Sequence, residues 1–501
     1  MTRITRLLGY LAAATLVCAM ALSPALAEDE LVVNPSSPPL TRGETLAMAE
    51  EAAAAFLQDP ALREALAAEI THAPEVFETM MFPAEEREVW TLTHGGKQMR
   101  FFMETIGEPD ADGRYPLYIA LHGGGEGPAE GNDSEWINMA QYYRVGVENG
   151  IYIACRGITD TWDLHFQEDS YPLYDRLIEA MVVLYGADPD RVYLLGFSAG
   201  GDGVYQIAPR LADRFAAVNM SSGHPNGVSL LNLADCPISL QAGIRDWYSE
   251  DAMRSIRAAE FEKTLSDFRA RYGFGYEHRV FIHVPAGHNY QDYGDNEATV
   301  LKDPTAFADR ALPMDALGLF LNALDACDLD EDVETLSYIW AGDSEAFDRA
   351  IAEIVTGPLG LETETVNPNA VRWVSQFTRD PAPARLVWDL STRARLREKN
   401  TFYWLEADPS VDRGVITAAY DAETNTITVE AEDVDGDFAI LFHPALVDVS
   451  RPVTVRTGGT ARTVRVNPSA EFLRASVAEN GDPALGCVGR ILYSEIAGAA
   501  Q

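Results

Sequence analysis

Arg191 to Gly203 reads Arg-Val-Tyr-Leu-Leu-Gly-Phe-Ser-Ala-Gly-Gly-Asp-Gly, an apolar run that ends in Gly196-Phe197-Ser198-Ala199-Gly200-Gly201. The β-branched, aromatic and aliphatic residues before Gly196 predict a buried strand, and Val204-Tyr205-Gln206-Ile207-Ala208 continues as a helix. A G-x-S-x-G sequence in that context implies a sharp, strained turn. Glycines two positions either side of Ser198 remove the Cβ atoms that would collide there, so the hydroxyl stands exposed at the edge of a sheet. Ser198 is the candidate nucleophile.

On both sides of this turn the chain alternates between helical and strand patterns. Val89 to Thr93 and Met99 to Thr105 flank His94-Gly95-Gly96-Lys97 and predict a hairpin; Tyr115 to Leu121 follows as a strand. Helices at Trp136–Asn149, Tyr171–Tyr185, Ala199–Leu211 and Asp251–Arg271 interleave with strands at Ile151–Cys155, Val192–Phe197, Phe215–Met220, Ile238–Gln241 and Arg279–Val284, and Thr305–Leu324 closes the unit as a helix. Such alternation predicts an α/β fold with a mostly parallel sheet covered by helices. The fold class expected is thus α/β, followed by a small all-β domain. Residues 28–88 precede it as a helical extension with a break near Asp59-Pro60, and 328–365 follow as a connector that opens on an acidic run. From 366 to 501, short alternating segments such as Val371–Ser375, Ala384–Leu390 and Thr426–Glu430 predict the β-rich part.

A serine hydroxyl needs a base, and the base needs an orienting carboxylate. Both follow Ser198 in order. Ile238 to Asp246 reads as a strand running into a turn that carries Asp246, and Val280 to His288 repeats the pattern with His288 in a Gly-containing loop. Glu250 and Asp251 stand close enough to Asp246 to be alternatives. His278 and His283 fall at the start and inside of the last strand, which suits structural roles, and Asp202 is too near Ser198 for the orienting role. The loop His122-Gly123-Gly124-Gly125 follows an early strand, and its glycines let backbone amides approach a developing oxyanion. The donors expected are Gly123 or Gly124 with Ala199, and His122 and Trp162 are candidate substrate-binding residues on the same edge of the sheet. Ordinary packing accounts equally well for Trp162.

Other chemistries lack their motifs. The Gly-rich run at 123–127 fails dinucleotide spacing, Asp433-Val-Asp-Gly-Asp437 lacks the terminal glutamate of a calcium loop, and no H-E-x-x-H occurs. No metal or organic cofactor is expected. The balance of 38 Lys+Arg against 77 Asp+Glu, a net charge of −39, disfavours nucleic acid and anionic membrane surfaces as partners. Arg3 and Arg6 ahead of the apolar run Leu7–Leu22 and of Ala25-Leu26-Ala27 predict a signal peptide over 1–27, hence a periplasmic or extracellular protein with no stable membrane insertion after cleavage. Four cysteines then remain, Cys155, Cys236, Cys327 and Cys487, which permit one or two disulfides without fixing the pairing.

The segments HGGGEGP, RGITDTWDLHF, GFSAGGDGVYQIAPRLADRFAAVNMSSG, QAGIRD and PAGHNY together resemble secreted α/β-hydrolases grouped with polyhydroxyalkanoate depolymerases, feruloyl esterases and prolyl-oligopeptidase-like enzymes. The likeness covers about residues 90–327, so that 89–327 is expected to be an α/β-hydrolase catalytic domain. It implies a Ser198, Asp246 and His288 triad that hydrolyses a small-molecule or polymeric ester. The tail resembles a β-rich extension of some bacterial members, and this implies no role for it. Two further functions stay open: a prolyl-oligopeptidase-like peptidase, for which the roughly 60 residues before the hairpin are too few to form a gating domain, and a non-catalytic polymer-binding protein with a vestigial triad.

Overall fold

The structure is a computed structural model that describes residues 30–78, 83–247, 253–393 and 399–498. The expected signal peptide with its cleavage site at Ala27, and the alternative acids Glu250 and Asp251, lie outside these residues. In chain order the first half contains β1 (Leu31–Val33), α1 (Arg42–Gln58), α2 (Pro60–Glu69), β2 (Ile70–Phe77), β3 (Glu85–His94), β4 (Lys97–Ile106), β5 (Tyr115–Leu121), α3 (Ala129–Tyr142), β6 (Gly150–Cys155), α4 (Ser170–Tyr185), β7 (Ala187–Phe197), α5 (Ala199–Ile207), β8 (Ala217–Ser221), β9 (Ile238–Gly243), α6 (Arg254–Tyr272), β10 (His278–His283), β11 (Ala298–Leu301) and α7 (Ala311–Ala326).

There follow α8 (Val333–Tyr338), α9 (Glu345–Thr356), β12 (Thr363–Val366), α10 (Ala370–Val374), β13 (Arg385–Asp389), β14 (Thr401–Phe402), β15 (Leu405–Ala407), β16 (Val415–Asp421), β17 (Thr426–Glu432), β18 (Phe438–Leu441), β19 (Val453–Thr457), β20 (Thr460–Val466), α11 (Ala470–Asn480), β21 (Arg490–Leu492) and α12 (Tyr493–Ala497).

The main sheet runs β12-β11-β10-β9-β8-β7-β5-β6-β4-β3-β2. Its centre, β6-β5-β7-β8-β9-β10, is parallel throughout, and antiparallel strands flank it at both edges. Both faces are covered. Along β5, Leu117, Ile119 and Leu121 enter one buried cluster while Tyr118 and Ala120 enter the other, the period-two division expected of a strand with helices on either side. This is an α/β fold with the strand order of an α/β-hydrolase. From β5 the chain steps to β6 on one side and then to β7 on the other, so the sheet reverses its order at β5. In sheets of this kind the crevice outside the C-terminal ends of the strands at the reversal, here β5 and β7, is where ligands bind.

The sequence boundaries fall inside packed structure. β2, within the expected helical extension, pairs with β3 along its whole length. The expected connector supplies α8, α9 and β12, and β12 is an edge strand of the main sheet. Val371–Ser375, expected as a strand, is α10 and its C-cap: the Asn369 side chain caps the Arg372 amide at 2.9 Å, and Ala370, Val371 and Val374 share one buried face. Their i, i+4 spacing reads as a helix once the cap is seen. Among the described residues the tail also holds α11 and α12 beside its two sheets, ordered β1-β20-β19-β17-β16-β13 and β14-β15-β18-β21, so it is β-rich rather than all-β.

Cys155, Cys236 and Cys487 are buried, Cys327 is half-buried, and none of the four is bridged. No helix among the described residues is long and apolar enough to cross a membrane.

Candidate active site

Ser198 sits between β7 and α5 at φ 57°, ψ −121°, a conformation that costs a non-glycine residue free energy. The turn is possible because of its neighbours. A Cβ on Gly200 would lie 2.1 Å from the Leu121 carbonyl oxygen, and one on Gly196 would lie 2.1 Å from that of Gly200. Only glycine permits so close a crossing of strand, nucleophile turn and helix. Ser198 is left half-exposed at the crevice.

The His288 loop after β10 and the Asp246 turn after β9 converge on it. His288 Nε2 lies 2.9 Å from Ser198 Oγ, and His288 Nδ1 lies 2.9 Å from Asp246 Oδ1. The Asp246 carboxylate is fully buried, and the same oxygen accepts from Arg254 Nη1 at 3.2 Å and from Ser337 Oγ at 3.3 Å. Burial pushes this carboxyl up, but the charges of His288 and Arg254 outweigh it and hold the group below the usual carboxylate range. A carboxylate kept ionised in this position fixes the imidazole with Nδ1 protonated and Nε2 free to accept the serine proton.

The loop of residues 122–125, expected to supply the oxyanion donors, approaches Ser198 through Gly123. The Gly125 amide donates to Asn132 Oδ1 at 2.7 Å, which anchors the loop to α3. Asn132 in turn donates to Asp160, and Arg156 pairs with both Asp133 and Asp160. Gly123 lies close to Ser198: a Cβ there would stand 3.2 Å from Ser198 Cβ. The structure thus brings the backbones of Gly123, Gly124 and Ala199 together with Ser198, His288 and Asp246.

His122 does not join them as a substrate contact. Its ring is fully buried; Nε2 accepts from the Gly157 amide at 3.1 Å, so Nδ1–H donates to the Gly123 carbonyl. Burial, His165 and Arg156 hold it well below its ordinary pKa, as a neutral brace inside the oxyanion loop. Trp162 is 49% exposed beside Gly125, with its ring edge-on to Phe166 at 5.3 Å. His278 and His283 pack away from Ser198, bonded to the Tyr276 carbonyl and to Gln241. Asp202 accepts from the His224 amide and from Asn226, which ties the first turn of α5 to the loop after β8.

The sequence reading missed the contribution of α8. The His288 amide donates to the Ser337 carbonyl at 2.7 Å, Arg245 donates to the carbonyls of Leu336 and Ile339, and the Tyr338 ring stands edge-on to His288 at 5.2 Å. No motif marks these residues; they sit in an acidic stretch that looks like a linker. Arg254 was equally silent, being one arginine among several on a surface-like helix. Glu135, on α3, also faces the crevice. Its Oε2 is 3.6 Å from the position of a Cβ on Gly123.

No family model matches the chain. A bifunctional acetylxylan esterase/xylanase from Neocallimastix patriciarum is 32% identical over 114 residues, which is 22% of this chain and 16% of that protein's length. Among solved structures, a thermostable esterase aligns over 40% of this chain and 58% of its own at 20% identity and TM-score 0.29. A putative dipeptidyl aminopeptidase IV from Bacteroides ovatus aligns over 44% and 33% at 15% identity and TM-score 0.29. Likenesses of this extent say nothing about individual residues.

Proposed function

We propose that the protein is a serine hydrolase that cleaves carboxylic esters through an acyl-enzyme. The observation that carries this reading is the unbroken line Ser198 Oγ, His288 Nε2, His288 Nδ1, Asp246 Oδ1, with 2.9 Å at each hydrogen bond. Ser198 Oγ attacks the ester carbonyl while His288 Nε2 takes its proton, and the C=O electrons move onto oxygen. The amides of Ala199 and of Gly123 or Gly124 stabilise that oxyanion without reorganising. Collapse expels the alcohol, which takes the proton from His288. Water, deprotonated by the same imidazole, then releases the acid and restores Ser198. Trp162, beside Gly125, and Tyr338, edge-on to His288, are the aromatic side chains that contact the substrate in this reading.

In this reading residues 1–27 send the protein to the periplasm or the exterior. The name of the curated relative makes acetyl esters of a polysaccharide the first natural substrate to try. The test is a burst assay with short and long p-nitrophenyl esters and an aminoacyl anilide, on the wild-type chain and on Ser198→Ala. Ester turnover with a burst, lost in Ser198→Ala, is expected. Cleavage of the anilide alone would replace the esterase with a peptidase, and turnover that survives the substitution would remove Ser198 from the mechanism.

A further inference from the structure

Glu135 lies on the face of α3 that meets the oxyanion loop. Its Oε2 approaches the Gly123 Cβ position, which itself touches Ser198 Cβ, and its Cγ is 3.5 Å from the corresponding position on Gly124. The carboxylate is therefore close to Ser198, with the space that a Cβ on Gly123 would fill between them. Among the described residues no hydrogen bond or ion pair is made to it. Burial pushes the Glu135 carboxyl up, and the charge of His288 offsets this only in part.

Half-buried carboxylates without a cation are costly, and this one stands next to the atoms where negative charge develops during attack. Like charges at that range oppose the reaction. A substrate that brings its own positive charge to Glu135 removes both penalties, and the second gain is realised in the transition state, where binding energy accelerates chemistry.

Resting on the ester-hydrolase reading, we propose that Glu135 is a specificity-determining residue that selects esters bearing an ammonium group close to the scissile carbonyl and rejects those bearing a carboxylate there. The chain's net charge of −39 favours the same substrates at the encounter step.

The experiment compares p-nitrophenyl esters of propionate, β-alanine and hemisuccinate, which end in methyl, ammonium and carboxylate. In the wild-type chain kcat/KM falls in the order ammonium, methyl, carboxylate. In Glu135→Gln the ammonium-to-methyl ratio drops at least tenfold and the methyl-to-carboxylate ratio shrinks. Unchanged ratios would overturn the proposal. Should Glu135→Gln fail to fold, inhibition of the wild-type chain decides: propylammonium inhibits propionate-ester turnover at least tenfold more strongly than propanol, and equal inhibition by the two overturns the assignment. A wild-type chain that hydrolyses none of the three esters would count against the esterase reading instead.

Discussion

One oxygen, Asp246 Oδ1, accepts from the imidazole of His288, the guanidinium of Arg254 and the hydroxyl of Ser337. An asparagine in its place loses the charge that favours the Nδ1–H tautomer. Asp246→Asn should therefore lower kcat by about 10³–10⁴-fold while leaving KM within a few-fold, measured on a short p-nitrophenyl ester. A second single-residue effect concerns stability. Asp235 is pushed up to about 7 by burial and then by the neighbouring charge of Asp380. The folded chain thus keeps that proton up to about pH 7, while the unfolded chain releases it near pH 4. Unfolding sheds a proton between those values, so stability declines as pH rises through that window. Asp235→Asn cannot ionise. Its Tm should exceed that of the wild type by a few degrees at pH 8 and match it at pH 4, by thermal melts across the range.

Among the elements, α8 is the one whose role is least visible in the sequence. It is six residues long, begins at an Asp332 cap, and follows an acidic run. Its contacts with the His288 and Asp246 loops are made largely by backbone carbonyls, which every residue possesses, so no residue pattern reports them. The contrast with β7 and α5 is instructive: there the turn demands Gly196 and Gly200, and composition betrays geometry. The placement of Ser198 between a strand and a helix was legible for the same reason, and the mostly parallel sheet from the alternation of helical and strand patterns, whereas the strand order around β5 was not. Val371–Ser375 was misread because a five-residue segment rich in β-branched and aromatic residues looks like a short strand, although its valines stand three apart and the Asn369 cap starts a helix. His122 was misread because a histidine beside three glycines looks exposed, although its ring turns inward. For α8 itself, a Cβ on Gly287 would stand 2.1 Å from the Ser337 carbonyl oxygen. Gly287→Ala should force the helix off the triad, lowering kcat/KM by about 10²-fold or more, since misplacement of that order carries such a cost. Steady-state kinetics beside a melting curve separate this loss from unfolding.

At the scale of the whole molecule, the tail and the catalytic unit share buried charges. Arg379 pairs with Asp190 and Asp482, Asp482 also pairs with Arg214, and Lys399 pairs with Asp213. Arg379 and Asp482 are both almost wholly inaccessible. Among the described residues, removing Arg379 takes the only paired guanidinium from half-buried Asp190 and leaves buried Asp482 with Arg214 alone, so Arg379→Ala should cost about 3 kcal/mol by urea or thermal denaturation. The tail is not detachable at residue 366. Ending the chain there removes α10 from the second face of the sheet, where Tyr118 shares a hydrogen bond with Ser375 and Tyr193 donates to the Phe377 carbonyl. The chain lacking 366–501 should be insoluble or protease-sensitive and without esterase activity, a result limited proteolysis reads directly.

β1 completes the tail sheet by pairing in parallel with β20, and the Asn34 side chain donates to the Asn467 carbonyl 433 residues further along. Ribosomes deliver roughly 5–20 residues each second, so Leu31–Val33 must wait some tens of seconds for the strand that receives it. Within that interval all eleven strands of the main sheet emerge, and then β13, β16, β17 and β19 of the tail sheet, before β20 does. β1 is therefore unpaired while the main sheet is being made, and premature pairing of β1 with another exposed edge is a misfolding route this topology leaves open.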